Sequence, residues 1–350
     1  MRLKLFHTMR EHASVFIRRH KKVVSIVIAL FLLALPYLLT SAYHLRVATL
    51  VGIYVLLVSG LNVIIGFTGM FSLGHAAFYG IGAYTSAMLA TMAGWNFWFA
   101  LPVAGIVAGV FGTLIGLATL RLRRVFLAFT TLGFGEIIRI LILNLRSFTR
   151  GPMGISGIPI PRIFGWTFTG RGYYYLILVL ATLTVATIYR MYHSRIGRAL
   201  IAIREDETAA ASMGINVFGH KVLAFTVGCF FAGIAGSYFA HFQRYISAES
   251  FANLESFAII TMLALGGTGS IIGPILGSTI LVLIPEIFRV LMQYRGVIYG
   301  LTLIVVIVYR PGGLANVKGV FEKPKLPKRP GKHRFGLRRR HGTVVPGETL

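Results

Sequence analysis

The stretch AIREDETAAASMGIN, residues 202–216, interrupts an otherwise apolar chain and decides how the rest of it is read. Arg204, Glu205, Asp206 and Glu207 are consecutive charges, followed at once by four small side chains, Thr208 to Ala211. Helix-terminus chemistry predicts a short helix here. Asp206 is a good N-cap, and Glu207 adds negative charge to the first turn, where the helix dipole favours it. Ala209, Ala210 and Ala211 are strong helix formers, and Gly214 can take the left-handed conformation that ends a helix. The segment makes about two turns, some 12 Å at 1.5 Å per residue. A helix that short is unstable by itself. It needs a host groove, and small side chains suit insertion into a groove on another protein. The plain alternative is a surface loop with incidental alanines.

Composition sets the solvent. The 350 residues are 56% hydrophobic and 13% charged, where an ordinary soluble domain carries charge on about a quarter of its residues. Several apolar runs reach the roughly 20 residues a helix needs to cross a bilayer. The chain reads as an all-α polytopic transmembrane bundle, and its 40 glycines suit closely packed membrane helices. The formal charge of +25 could suggest nucleic acid, but its placement argues otherwise. The basic residues crowd the N-terminus, the flanks of apolar runs and the tail, which is the positive-inside pattern. Nucleic acid is therefore excluded as a partner. Cys229 is the single cysteine, so no intrachain disulfide can form.

Apolar runs fall at 23–40, 47–65, 73–92, 97–120, 125–145, 173–191, 222–238, 256–265, 271–288 and 297–309. These predict about ten spans. The first follows "RRHKK" and has no obvious cleavage motif, so it reads as a retained span rather than a signal peptide. Three regions result: a basic cytoplasmic N-terminus (1–22), a transmembrane domain (23–315), and a basic tail (316–350) of disorder-prone composition. An even span count puts both termini in the cytoplasm, together with the 202–216 stretch, and lets the tail lie on anionic lipid. Each basic residue near such a surface contributes about 1 kcal/mol. The loop 146–172 falls outside despite Arg146, Arg150, Arg162 and Arg171, and "RGPMGISGIPIP" within it predicts an ordered, turn-rich loop.

Two apolar segments are interrupted by glycine: "GFTGMFSLGHAAFYGIGAY" (66–84) and "LGGTGSIIGPILGS" (265–278). They read either as broken helices marking a substrate path or as tight helix packing. Mid-span ionisable residues are functional candidates by default. Glu136 and Arg139 are three apart on one helix face and can pair. Either they neutralise each other, or with Thr130 and Thr131 they form a polar stripe along a path. Asn62 and Ser72 are further path candidates beside the first glycine-rich segment. His75 reads as a packing histidine. No G-x-x-x-x-G-K-[ST], H-E-x-x-H or C-x-x-C sequence occurs, so the reading names no catalytic residue, no metal site and no cofactor bound by this chain. Energy must come from a partner or from an ion gradient.

Glu207, Ala209, Ala210 and Gly214 resemble the E-A-A…G coupling motif of ABC importer permeases, with a threonine between the Glu and the alanines. That departure, with "LAFTTLGFGEIIRILILN", "GPMGISGIPIP", "IGRALIAIREDETAAASMGINV" and both glycine-rich segments, is similar to the branched-chain amino acid permeases over residues 45–315. "RGPMGISGIP" looks like the loop of the LivM-type member of the pair. The resemblance implies that Asp206, Glu207, Ala209, Ala210 and Gly214 dock on an ATPase subunit. It implies two such ATPases, which bind the ATP, a homologous second permease and an extracytoplasmic binding protein, in a bacterial inner membrane. The cargo implied is Leu, Ile or Val, with urea or short amides as the alternative. The rival class is a gradient-driven secondary transporter or channel using Glu136, and a membrane enzyme is weaker still. A solitary carrier has no use for the docking helix.

The span count carries its own test. Cysteines replacing Ser194 and Lys332 should react with impermeant reagent only from the cytoplasm, and one replacing Ser156 only from outside. Labelling of Ser194 and Ser156 positions from one side contradicts ten spans.

Overall fold

The computed structural model describes residues 21–39, 41–119, 124–163, 165–287, 294–309 and 312–314. The expected basic tail lies outside the described residues, as does the expected N-terminal region except for Lys21 and Lys22. Helix dominates what is described. The long elements are α1 (Lys21–Leu38), α2 (Ala42–Leu61), α3 (His75–Thr91), α4 (Phe97–Thr119) and α5 (Arg124–Asn144). A short α6 (Arg146–Thr149) follows, then α7 (Arg171–His193), α8 (Arg195–Glu205), α9 (Glu207–Ser212) and α10 (Val217–Gln243). The last three are α11 (Asn253–Gly266), α12 (Gly273–Ile287) and α13 (Arg295–Tyr309). Among the described residues six helical stretches are long and apolar enough to cross a bilayer: Ala42–Gly66, Phe97–Ala118, Phe126–Asn144, Arg171–His193, Val217–Gln243 and Ala248–Gly266. Gly273–Glu286 and Gly296–Val306 are shorter apolar helices. In hydrocarbon the helix is one of two ways to satisfy every backbone group, so apolar runs of this length adopt it.

The bundle is organised around α10, which packs along α2, α3 and α4. Small residues allow it. A Cβ added at Gly82 of α3 would run into the backbone of Gly233, and one added at Gly60 of α2 would lie 2.8 Å from the carbonyl oxygen of Gly228. On the α4 side, Cys229 is fully buried against Gly112. Lipid tails are as apolar as leucine, so van der Waals contact between closely approaching backbones takes over from the hydrophobic effect as the driving force. α7 packs on α2, and α11 packs on α12 and α13.

Both glycine-rich segments are breaks. α2 leaves α-geometry in a π-turn, Asn62–Gly66, and the chain runs irregularly from Gly69 to Gly74 before α3 begins. π-turns of this kind often mark functional sites. α11 stops at Gly266, and Gly267 and Gly269 take left-handed φ of 112° and 79° before α12 starts. The 146–172 loop is ordered, as its turn residues predict. Its strand β1 (Ile155–Ser156) pairs antiparallel with β4 (Tyr245–Ile246) just after α10, while β2 (Arg162–Ile163) pairs with β3 (Trp166–Thr167). His241 of α10 anchors this loop: Nδ1 lies 2.8 Å from the Pro159 carbonyl and Nε2 3.0 Å from Ser86 Oγ.

The contact at Gly82 makes a sharp prediction. Gly82→Leu forces α3 from α10 and should cost about 1–3 kcal/mol, the usual penalty of overpacking. Gly133→Ala, whose added methyl meets nothing within 4 Å, should leave thermal melting in detergent unchanged.

Candidate functional site

The charged stretch folds as its end-groups dictate. Asp206 is extended, and its Oδ1 accepts the Thr208 and Ala209 amides at 2.8 and 3.0 Å. At the other end Gly214 has φ +81°. The Gly214 amide donates to the Ala211 carbonyl at 2.9 Å and the Ile215 amide to the Ala210 carbonyl at 3.1 Å, the paired bonds of a Schellman ending. The helix between them holds against its own subunit at two points. Glu207 pairs with Lys221 Nζ of α10 at 2.7 Å, and Ala210 is 4% exposed. Ala210 is expected on the docking face, but the structure turns it inward, because successive residues point about 100° apart and only its side of α9 lies against the bundle. The outward face consists of Thr208, Ala209, Ala211 and Ser212, and it ends in Met213, 82% exposed. A small-residue face with an exposed thioether, which adapts to irregular apolar surfaces, can seat in a cleft.

The two breaks meet at Arg204, in the last turn of α8. The Asn62 side chain accepts the Gly269 amide at 2.8 Å and donates to the Ser270 carbonyl at 2.9 Å, so its amide is used as a clamp. Arg204 Nη1 donates to the Gly66 carbonyl at 2.5 Å. Polar side chains also serve the freed amides at the start of α3. Thr131 Oγ1 accepts from Leu73 at 3.0 Å and Ser256 Oγ from Ala76 at 3.0 Å. Ser72 is fully buried, and among the described residues its hydroxyl has no partner. His75 is fully buried at the first turn of α3.

Glu136 and Arg139 pair. Arg139 Nε lies 3.0 Å and Nη2 2.5 Å from Glu136 Oε1. The structure adds two partners: Glu249 Oε1 at 3.1 Å from Arg139 Nη1, and Asn253 Nδ2, which donates to Glu136 Oε2 at 3.2 Å. Thr130 and Thr131 do not join this group. Thr130 donates to its own helix at Phe126, and Thr131 faces the first break. Of the two alternatives, the pair is the one whose geometry is seen, and the four residues do not line up as one stripe on α5.

One membrane-embedded acid escapes the apolar-run reading. Glu255 sits one residue before the run 256–265, and Tyr54 of α2 donates to its Oε1 at 2.7 Å. The signal that could have found it is a tyrosine hydroxyl in mid-run, which requires a partner when buried. Among the described residues no group of three or more His, Cys, Asp or Glu side chains could hold a metal ion.

With this geometry in hand, relatives give it context. Residues 43–307 match the family described as branched-chain amino acid transport system / permease component. The chain is 39% identical to the high-affinity branched-chain amino acid transport system permease protein LivM of Escherichia coli K12, covering 82% of this chain and 73% of that one. It is equally similar, at 39%, to the protein of that name from Salmonella typhimurium, over 81% and 74%. It is 27% identical to LivH of Escherichia coli K12, over 76% and 92%. No solved structure matches.

The Arg139 group predicts an order of effects. Arg139→Gln removes the cation from two carboxylates and leaves Glu136 only its Asn253 bond, whereas Glu136→Gln leaves Arg139 bonded to Glu249. The first should cost about 1–3 kcal/mol as lost charged hydrogen bonds, the second less. The double variant Glu136→Gln with Arg139→Gln should recover part of the loss, read as yield and melting temperature. Full yield with lost uptake in both single variants would instead place these charges on the path.

Proposed function

Since the chain belongs to the permease family of branched-chain amino acid transport systems, we propose that it is the LivM-type membrane subunit of an ABC importer that moves Leu, Ile and Val inward by alternating access. It works beside a homologous second permease, with which its similarity to LivH agrees. An extracytoplasmic binding protein delivers the amino acid and sets most of the specificity. Two ATPase subunits bind and hydrolyse ATP, one of them gripping α9. The chain crosses the bacterial inner membrane ten times, with both termini in the cytoplasm.

The observation that carries this reading is α9. It is capped by Asp206, closed by Gly214, pinned by Glu207 to Lys221, and presents a small outward face that is exposed among the described residues. A carrier driven by an ion gradient gains nothing from such a helix. Asp206, Glu207 and Ala210 shape and seat the docking helix, while Ala209 and the turn at Gly214 meet the ATPase. Asn62 holds the first break, and the Glu136–Arg139 group closes the outer end of α5.

The test uses Ala209→Phe, which thickens the outward face, and Gly214→Val, which penalises the left-handed turn by roughly 1–2 kcal/mol. Both subunits should insert and fold, yet lose ATPase in pull-down, or keep it while uptake of labelled leucine falls. Ala210→Phe should instead damage the subunit itself. Normal ATPase capture and normal uptake in both variants overturns the docking reading, as does uptake by the purified chain alone in a proton or sodium gradient.

A further inference from the structure

We infer that Arg204 is the mechanical link between the docking helix and the two broken helices. Through this one side chain, displacement of α9 reaches both the Gly66–Gly74 break and the Gly267–Ile272 break. The inference rests on the reading of α9 as the ATPase contact.

Three observations carry it. The first is the joint. Arg204 lies in the last turn of α8, two residues before Asp206, and Leu200 and Ile203 bury the inner face of that helix completely. Asp206 both ends α8 and caps α9, with no residue of slack between them. A joint of one shared cap residue ties the end of α8 directly to the start of α9. The second is the slot. Gly69 and Gly269, both with left-handed φ (71° and 79°), flank the arginine. A Cβ added at Gly69 would lie 3.3 Å from Arg204 Cγ, and one added at Gly269 would run into Nη1. Glycine is required there twice over, for its backbone conformation and for the space the arginine occupies. The third is the bond. Arg204 Nη1 donates to the Gly66 carbonyl, at the end of the π-turn, and an added Cβ at Gly66 would lie 2.6 Å from the Gly269 amide. The two breaks therefore touch where the guanidinium sits, and Asn62 stitches them together beside it.

Chemistry favours arginine in this role. The end of a helix presents carbonyls without intrahelical partners and a partial negative charge, which a cation satisfies. A guanidinium is rigid, planar, always charged and rich in donors, so it transmits both push and pull where a flexible ammonium does so less well. Arg204 touches neither ATP nor cargo. It is a positioning residue.

The experiment uses the full complex, with both permeases, the ATPase subunits and the binding protein, in proteoliposomes. Arg204→Gln should leave ATPase capture and basal ATP hydrolysis intact. Stimulation of hydrolysis by leucine-loaded binding protein should vanish, and leucine transported per ATP should fall roughly tenfold or more, as expected for loss of a charge-assisted hydrogen bond on which the coupling depends. Arg204→Lys should restore part of both. Gly269→Ala crowds the guanidinium and strains the left-handed turn at once, so it should lower leucine per ATP at least as far as Arg204→Gln. If Arg204→Gln yields no folded protein, Arg204→Lys and Arg204→Met are read by the same criteria. Unchanged leucine per ATP in these variants overturns the link while leaving α9 as the dock. Loss of ATPase capture by Arg204→Gln also overturns it, placing Arg204 in the docking surface. Normal capture and uptake with Ala209→Phe and Gly214→Val removes the premise instead, so the two failures are distinct.

Discussion

The structure depends on how closely other helices can approach α10. Between helices in lipid the hydrophobic effect gives little, so their association rests on van der Waals contact and a few polar bonds. α10 meets this need with Ala224, Gly228, Cys229, Ala232, Gly233, Ala235 and Gly236, all buried. Backbone then lies nearly against backbone at Gly60–Gly228 and Gly82–Gly233. A helix packed this way has little freedom to shift. Its ends are tied as well: Lys221 to α9 on one side, His241 to the 146–172 loop on the other. It is the fixed post against which the other parts are positioned.

Against that post the molecule keeps two stretches of irregular backbone, Gly69–Gly74 and Gly267–Ile272. Unpaired amides and carbonyls at membrane depth are tolerated only when covered by protein or facing a water-filled cavity. Here the cover consists of short polar side chains from neighbouring helices: Asn62, Thr131, Ser256 and the long arm of Arg204. The breaks are thus held by a small number of specific bonds, while the α10 contacts are broad and apolar. Segments held by few bonds are the ones that can change arrangement without disturbing the packed core.

Much of this was legible in the chain. Apolar run length announced the helices, while the glycine clusters left broken helices and tight packing as equal readings, which the structure decided in favour of breaks. Asp206 and Gly214 announced both ends of α9, since caps are local chemistry between residues a few positions apart. Glu136 and Arg139 were legible as a pair for the same reason, being one turn apart. What spacing could not give was the third partner. Glu249 and Asn253 come from beyond α10, more than a hundred residues away, and Thr131 accepts from the Leu73 amide at the first break instead of joining Glu136 and Arg139.

The sequence by itself thus determined solvent, helix content and the short capped helix α9 with its ends, because each follows from contacts within a few residues or from the thickness of a bilayer. Only the tertiary structure decided which side of α9 faces outward. Ala209, Ala210 and Ala211 are chemically alike, and burial against the bundle singles out Ala210. Only the tertiary structure, too, brought Arg204, Gly66, Gly69 and Gly269 to one point. Glycine in a sequence reports that space is needed there. What fills the space is settled by the helix that packs across it.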